Sequence, residues 1–502
     1  MMPASEGAIV PSPWPKGWVP PIHERPQNTW RMVMGYLLLS FLAIPILNWI
    51  SIPNIPLEQR VLGYLLLYVC TAPVVVHFSK RTPGLPIFPV ICLVYGASYA
   101  IPIFIAQPYI SLVSSQTFER IPVADCTHAV VLALVGVLSM QFGFLMFRYS
   151  VLSLLIPHLR LEVDAQKAIS RISILGLGSV FALWIVLSGR VFVPAAFASI
   201  AALISLLPTL CGAYLYWAYL RGELKGRWVT LMGVILFADI AVGFTSGSVR
   251  NVIGPMITIA AVYWMVRRKI SWKYAILGIM IFLSMQAVKG QYRTLVWAKG
   301  QAKNDVVGRL VIMKTLLGNR AHQIILGHRG RSHDVVQASV NRADLIHLFA
   351  HAIHETPRFV PYQHGDTYSY LLLALVPRAF WHKKPTAQAA NQFFGIAYDL
   401  QSPDSIGTTS IGLPHLVEAF INFGNMGVVF VMMALGVFYA VIDKMFNHTE
   451  AGGGGIAIYS TMLMNFVNIE TSTAAIFGAM PQTILILYLV FRTMRVRRRI
   501  HL

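Results

Sequence analysis

Among the titratable side chains of this 502-residue chain, Glu418 is the best placed for acid–base chemistry. It stands in Gly412-Leu413-Pro414-His415-Leu416-Val417-Glu418-Ala419-Phe420-Ile421-Asn422-Phe423-Gly424, where an apolar stretch follows a long polar segment. Partial burial suits a carboxylate to general-base work near neutral pH; an acid here could equally cap a helix or sit at an interface. Arg250, in Gly247-Ser248-Val249-Arg250-Asn251, opens another apolar stretch. A guanidinium beside a helix amino terminus is equipped to hold phosphate, or else to snorkel to the surface. Asp239 lies inside an apolar stretch, where an acid marks either function or a polar pairing. His347, His351 and His354 fall at i, i+4 and i+7 behind Asp344, one face of a helix. That spacing could ligate a metal, but a solvated polar face is the better expectation, and no metal or other cofactor is expected. Cys70, Cys92, Cys126 and Cys211 lack paired metal spacing and read as small buried hydrophobes.

Such groups need a scaffold, and composition says which kind. The chain is 56% hydrophobic and 12% charged, with a mean hydropathy of +0.62. Soluble domains carry about 25% charged residues, so too little polar surface remains to cover a water-soluble body. The net charge of +20 does not indicate nucleic-acid binding. Its bases gather in short runs that flank apolar stretches, such as Lys80-Arg81, Arg267-Arg268-Lys269 and Arg495-Val496-Arg497-Arg498-Arg499. A span needs about 20 apolar residues. The stretches that approach this are 33–50, 61–78, 86–106, 126–147, 171–188, 194–219, 228–245, 251–266, 273–288, 412–440, 455–471 and 475–492. The expected fold is therefore all-α, a polytopic transmembrane helical bundle of about twelve spans with both termini cytoplasmic.

The expected organisation is a Pro-rich cytoplasmic tail (1–32), about nine spans (33–288), one large loop (289–411), about three spans (412–492) and a basic cytoplasmic tail (493–502). The loop falls outside by parity although it is rich in Lys and Arg, and long loops escape the positive-inside rule. Within it Leu345–Ile353 and Tyr368–Val376 are too short to span and read as interfacial or re-entrant helices. Gly452–Gly455 reads as a flexible cytoplasmic connector. Phosphate-loop, dinucleotide-binding and zincin motifs are absent from the sequence.

Residues 366–424 resemble the polysaccharide polymerases of the Wzy type, the oligosaccharide repeat unit or O-antigen polymerases. The resemblance rests on Gly365-Asp366-Thr367-Tyr368, then Val376-Pro377-Arg378-Ala379-Phe380-Trp381-His382-Lys383-Lys384-Pro385, then Glu418-Ala419-Phe420-Ile421-Asn422-Phe423-Gly424 with Gly427 after it. Gly247-Ser248-x-Arg250 is similar to an upstream Gly-Ser-Arg element, with one residue inserted. The resemblance implies an inner-membrane enzyme of bacteria whose large loop is periplasmic. It would join undecaprenyl-pyrophosphate-linked oligosaccharides, with membrane lipids, a chain-length regulator and a flippase as partners and no nucleic acid. Glu418 is then the candidate base and Arg378 a second catalytic residue. Arg250, Arg293, Arg342 and Lys384 are candidates for phosphate, and Tyr368, Trp381 and Asn422 for the remainder of the substrate. The nearest alternative is an O-antigen ligase-like transferase; a more distant one is a secondary transporter or lipid-linked glycan flippase. Reporter fusions in the stretch around Arg342 and Arg378 are expected to report a non-cytoplasmic location, and cytoplasmic reporters there would remove the polymerase expectation.

Overall fold

The computed structural model describes residues 29–52, 54–80, 84–161, 163–188, 198–269, 272–302, 305–325, 343–374, 376, 381, 384–406, 411–448 and 451–494. The helices are α1 (Thr29–Ile50), α2 (Leu57–Lys80), α3 (Ile87–Ile105), α4 (Val123–Tyr149), α5 (Ala165–Leu187), α6 (Ala198–Leu220), α7 (Arg227–Thr245), α8 (Val249–Arg267) and α9 (Trp272–Arg293). They continue with α10 (Val306–Ile325), α11 (Ile346–Glu355), α12 (Asp366–Ala374), α13 (Ala389–Ala397), α14 (His415–Phe446), α15 (Gly452–Phe466), α16 (Thr473–Phe477) and α17 (Met480–Arg492). Each of the twelve apolar stretches is helical over most of its length. Among the described residues nine helices are long and apolar enough to cross a membrane. Shorter apolar helical segments among the described residues are Ile204–Leu220 in α6 and Ile276–Gln286 in α9, and α15 has 15 residues. The chain is thus an all-α, multi-pass membrane protein in its main features.

Three features depart from the sequence expectation. A small antiparallel pair, β1 (Tyr109–Ser111) with β2 (Phe118–Arg120), lies between α3 and α4. The 20-residue α10 occupies part of the long loop where no helix was expected. Gly452–Gly455 is no flexible connector, because Gly453, Gly454 and Gly455 are buried within α15. A Cβ on Gly453 would stand 2.5 Å from the Trp217 ring, and one on Gly454 3.0 Å from Leu161. These glycines let neighbouring elements approach; they do not loosen the chain. The four cysteines are free and buried, as expected.

The arrangement turns on α4 and α14. Gly424 (φ 66°, ψ −155°) interrupts α14, leaving an arm of residues 415–423 and a long helix of residues 425–446. A Cβ on Gly136, midway along α4, would lie 2.4 Å from the Leu416 side chain and 2.9 Å from that of Val428. Twelve residues of continuous helix would separate those two by about 18 Å, so the chain reverses at Gly424. The arm runs antiparallel to α4, bringing Phe420 beside His128 (rings 6.4 Å apart). The long helix runs parallel to α4 and ends with Asp443 3.5 Å from Arg148. Along this seam backbones nearly touch: a Cβ on Gly143 would be 2.1 Å from the Met433 carbonyl oxygen, and one on Gly436 2.0 Å from that of Met140. A separate, smaller apolar core joins α7, α8, α9 and α10 through residues such as Val252, Met285, Tyr292 and Met313.

Because a backbone cannot retreat as a flexible side chain can, Gly436→Leu should cost more than the about 1–3 kcal/mol typical of overpacking. We expect the variant to lose its monodisperse elution in detergent. Gly233→Ala, with open space around the site, should elute like the wild type.

Candidate functional site

Pro414 precedes the arm and Gly424 ends it, so the helix is short and its last carbonyls need partners. The Ile421 and Asn422 carbonyls accept from the Gln363 (2.9 Å) and His364 (3.1 Å) amides, and the Gly365 amide donates to Asn422 Oδ1 (2.9 Å). Gly365 adopts φ +101°, which a side chain would strain. This docking carries Thr367, the second residue of α12, down against the arm. Glu418 is fully buried there. Its Oε1 accepts from the Thr367 hydroxyl (3.0 Å), and its Oε2 from both the Thr473 amide and the Thr473 hydroxyl (2.7 Å each). Asn422 donates to the Thr367 hydroxyl and to the Glu418 carbonyl (2.7 Å each). Among the described residues no Lys or Arg forms an ion pair with Glu418. The neutral donors of α12 and α16 compensate the carboxylate instead.

Thr473 lies just beyond a break, residues 467–472, between α15 and α16. The break is itself pinned: Asn391 Oδ1 accepts from the Leu413 and Ser472 amides (3.0 and 2.9 Å). On the other side of the break, near the end of α15, Asn465 accepts from Arg250 Nη2. Arg250 sits in the first turn of α8, after the turn at Gly247 (φ +60°), and the residue is exposed. The Tyr292 ring covers Gly247, and its hydroxyl donates to the Thr245 carbonyl (2.6 Å). Three strings far apart in sequence, around Arg250, Thr367 and Glu418, therefore converge on one helix break.

The remaining sequence-derived residues divide. Tyr368 stacks on Phe423 (centroids 6.0 Å, planes 3° apart). Burial pushes its phenol well above its ordinary value, and the neighbouring Glu418 carboxylate adds to the push. Trp381 is 39% exposed. The Lys384 ammonium donates to the Ala374 and Val376 carbonyls (3.1 and 2.7 Å) and so closes the end of α12. Arg293 ends α9 and is half-buried. Arg342 and Arg378 lie outside the described residues. Asp239 is buried and accepts from Thr209 (2.6 Å). The histidine face is not solvated as expected: His347 pairs with Asp344 (2.6 Å), His351 with the Tyr398 carbonyl (3.0 Å) and His354 with Asp125 (2.7 Å). The α11 helix packs on α4 and α14, which buries His347 and His351. Among the described residues no three His, Cys, Asp or Glu converge as a metal site. Thr473 and Asn391 are participants that sequence reasoning missed. Their one signal is a polar residue interrupting an apolar run, as in Thr471-Ser472-Thr473.

A model of the family described as a domain of unknown function, DUF8712, matches residues 111–499. The chain belongs to the DUF8712 family. The matched DUF8712 region holds Arg250, Thr367, Glu418, Asn422 and Thr473, and leaves out α1, α2 and α3. No curated protein and no solved structure matches the chain.

Removing the carboxylate orphans three donors in a buried site. Glu418→Ala should cost about 3 kcal/mol or more, seen as a marked fall in the apparent melting temperature in detergent. Glu418→Gln, which keeps the shape and can still accept from Thr473, should melt close to the wild type.

Proposed function

We propose that this protein polymerises lipid-linked oligosaccharides, joining repeat units carried on undecaprenyl pyrophosphate at the periplasmic face of the bacterial inner membrane. The proposal includes the finer topology of twelve spans with residues 289–411 outside. The observation that supports it is the convergence on one break of three strings that resemble parts of Wzy-type polymerases, those around Arg250, Thr367 and Glu418. Discontinuous helices at membrane depth are tolerated where they line a cavity or a binding site.

In this reaction a hydroxyl of the acceptor sugar attacks the anomeric carbon of the donor. The new glycosidic bond forms as the bond to pyrophosphate breaks, and undecaprenyl pyrophosphate leaves. Nucleotide-sugar donors are confined to the cytoplasm, so an outer site requires a sugar already activated as its lipid pyrophosphate. Arg250 is suited to the leaving group: the residue reaches the surface, and Asn465 fixes the orientation of its guanidinium. Its position in the first turn of α8 adds unpaired amides that also favour an anion. Arg293, Arg342 and Arg378 are further cations for the same pyrophosphate, and Trp381 offers an exposed ring for a sugar or lipid.

Glu418 enters differently. Both of its oxygens are held by threonines, so it takes the acceptor proton only after Thr367 or Thr473 releases it. Until then it holds the floor of the site in place.

With the full chain reconstituted with lipid-linked repeat units, the wild type should form polymer ladders. Arg250→Ala should lower polymer yield about ten-fold or more, the scale of a lost hydrogen bond to a charged group, at unchanged protein level. Loss of polymer in well-folded Glu418→Gln would assign the base, and retained polymer would leave Glu418 a positioning residue. Transfer onto lipid A core without ladders would make the protein a ligase. Passage of substrate across the bilayer without a new bond would make it a transporter.

A further inference from the structure

The break between α15 and α16 carries an acid that the glycan chemistry above does not use. Glu470 stands three residues before Thr473, the double donor to Glu418, and five after Asn465, the partner of Arg250. Three residues span at most about 11 Å and five at most about 18 Å, so Glu470 lies beside the same site. Its backbone is fixed: Gly412 packs against the Glu470 carbonyl, and Asn391 Oδ1 holds the Ser472 amide (2.9 Å). Its side chain is not. The residue is exposed, and among the described residues its carboxylate has neither a hydrogen bond nor an ion pair. Two residues on, the buried Ser472 hydroxyl also lacks a partner among the described residues.

The depth of the break decides what this acid faces. The α15 helix begins at the base-rich face of the bundle, where the Ala451 carbonyl accepts from the Leu161 amide (3.0 Å). There Arg221 lies over the Trp217 ring (4.9 Å) that covers Gly453. The 15 residues of α15 rise about 22 Å, short of the about 30 Å of a hydrocarbon core. The break therefore opens inside the membrane, and an acid exposed at that level faces water, because contact with lipid is costly for a charge. Arg250 is exposed beside the same break, and the two residues share a wet cleft without pairing. The bland alternative is an acid solvated at the membrane surface. It requires α15 to reach that surface, and α15 is too short.

Cation and acid suit different parts of a substrate. Arg250 fits a pyrophosphate, whereas a carboxylate repels one and accepts hydrogen bonds from hydroxyls. We infer that Glu470 binds the acceptor, holding hydroxyls of its non-reducing-end sugar in the cleft while the donor's pyrophosphate sits at Arg250. The inference rests on the polymerase reading and adds to it a group that tells acceptor from donor. A free side chain on a fixed backbone can accept from two neighbouring hydroxyls, one at each oxygen. No bond is made or broken at Glu470.

The full chain is embedded in nanodiscs, where its four native cysteines are buried. Glu470→Cys should react with a charged, membrane-impermeant thiol reagent several-fold faster than Leu485→Cys, an exposed apolar position on α17. Equal rates overturn the cleft and the inference with it. The binding probe is repeat-unit oligosaccharide released by mild acid from the lipid-linked material of the source cells. It carries no pyrophosphate and can serve only as acceptor. Glu470→Ala should bind it about ten-fold more weakly than the wild type, the scale of a lost hydrogen bond to a charged group. Glu470→Gln should fall between them, and it stands in for Glu470→Ala if that variant does not elute as the wild type does. Glu223→Gln, beside Arg221 (2.8 Å) at the base-rich face, should bind like the wild type. Unchanged binding by the Glu470 variants, or no binding by the wild type, overturns the inference; polymer ladders from the same preparation would leave the polymerase reading standing. Binding that depends on Glu470 without ladders upholds the site and overturns that reading instead.

Discussion

A carboxylate removed from water must find donors or a counter-ion, and the centre of this molecule is built to supply the former to Glu418. Its three donated hydrogen bonds come from two threonines 106 positions apart, Thr367 and Thr473, and the acid itself lies between them in sequence. The loop at Gly365, the short arm of α14 and the break before α16 are thereby fastened at one point. Asn422 extends the fastening, since its amide satisfies Thr367 and its oxygen accepts from Gly365. Such a fully satisfied buried network sets one arrangement apart from its competitors, because any shift leaves a polar atom stranded.

The fastening works only because the backbones around it come close. Apolar contact drives helix association weakly in a bilayer, and small residues that permit near approach take over part of that task. Gly143 and Gly436 bring α4 and the long part of α14 into backbone contact, and Gly136 admits both Leu416 and Val428. At Gly412 a Cβ would stand 1.8 Å from the Glu470 carbonyl oxygen, so the chain entering the arm also runs against the break it must meet. Arm and break are thus held by close backbone approach and by polar bonds without charge pairs, and the long helix adds the Asp443–Arg148 pair at its far end.

Much of this was legible in the amino-acid order, and the illegible part has physical reasons. Length and apolarity disclosed the helices, since a segment crossing lipid must be both. Glu418 and Arg250 stood out as charges where charge is costly. The reversal at Gly424 was invisible, because Phe423-Gly424-Asn425 interrupts neither the length nor the apolarity of the stretch. Gly452–Gly455 misled for a related reason: a glycine run serves flexibility and close packing equally well until its neighbours are known. Thr473 and Asn391 carry no charge and belong to no spacing pattern, so only their bonds reveal them. The histidines showed their helical face in sequence, yet not the partners that fill it.

The span of the Glu418 network has a bearing on how the chain is made. Synthesis delivers the acid 55 residues ahead of the threonine that supplies two of its three donors. For that interval the arm has Thr367 but not its other anchor, and the preceding helices cannot close around it in final form. The C-terminal pair, α16 with α17, is therefore the latch of the bundle and not an appendage to it. A chain stopped before residue 473 would carry nearly all of the hydrophobic mass and still lack the bonds that let its centre shut.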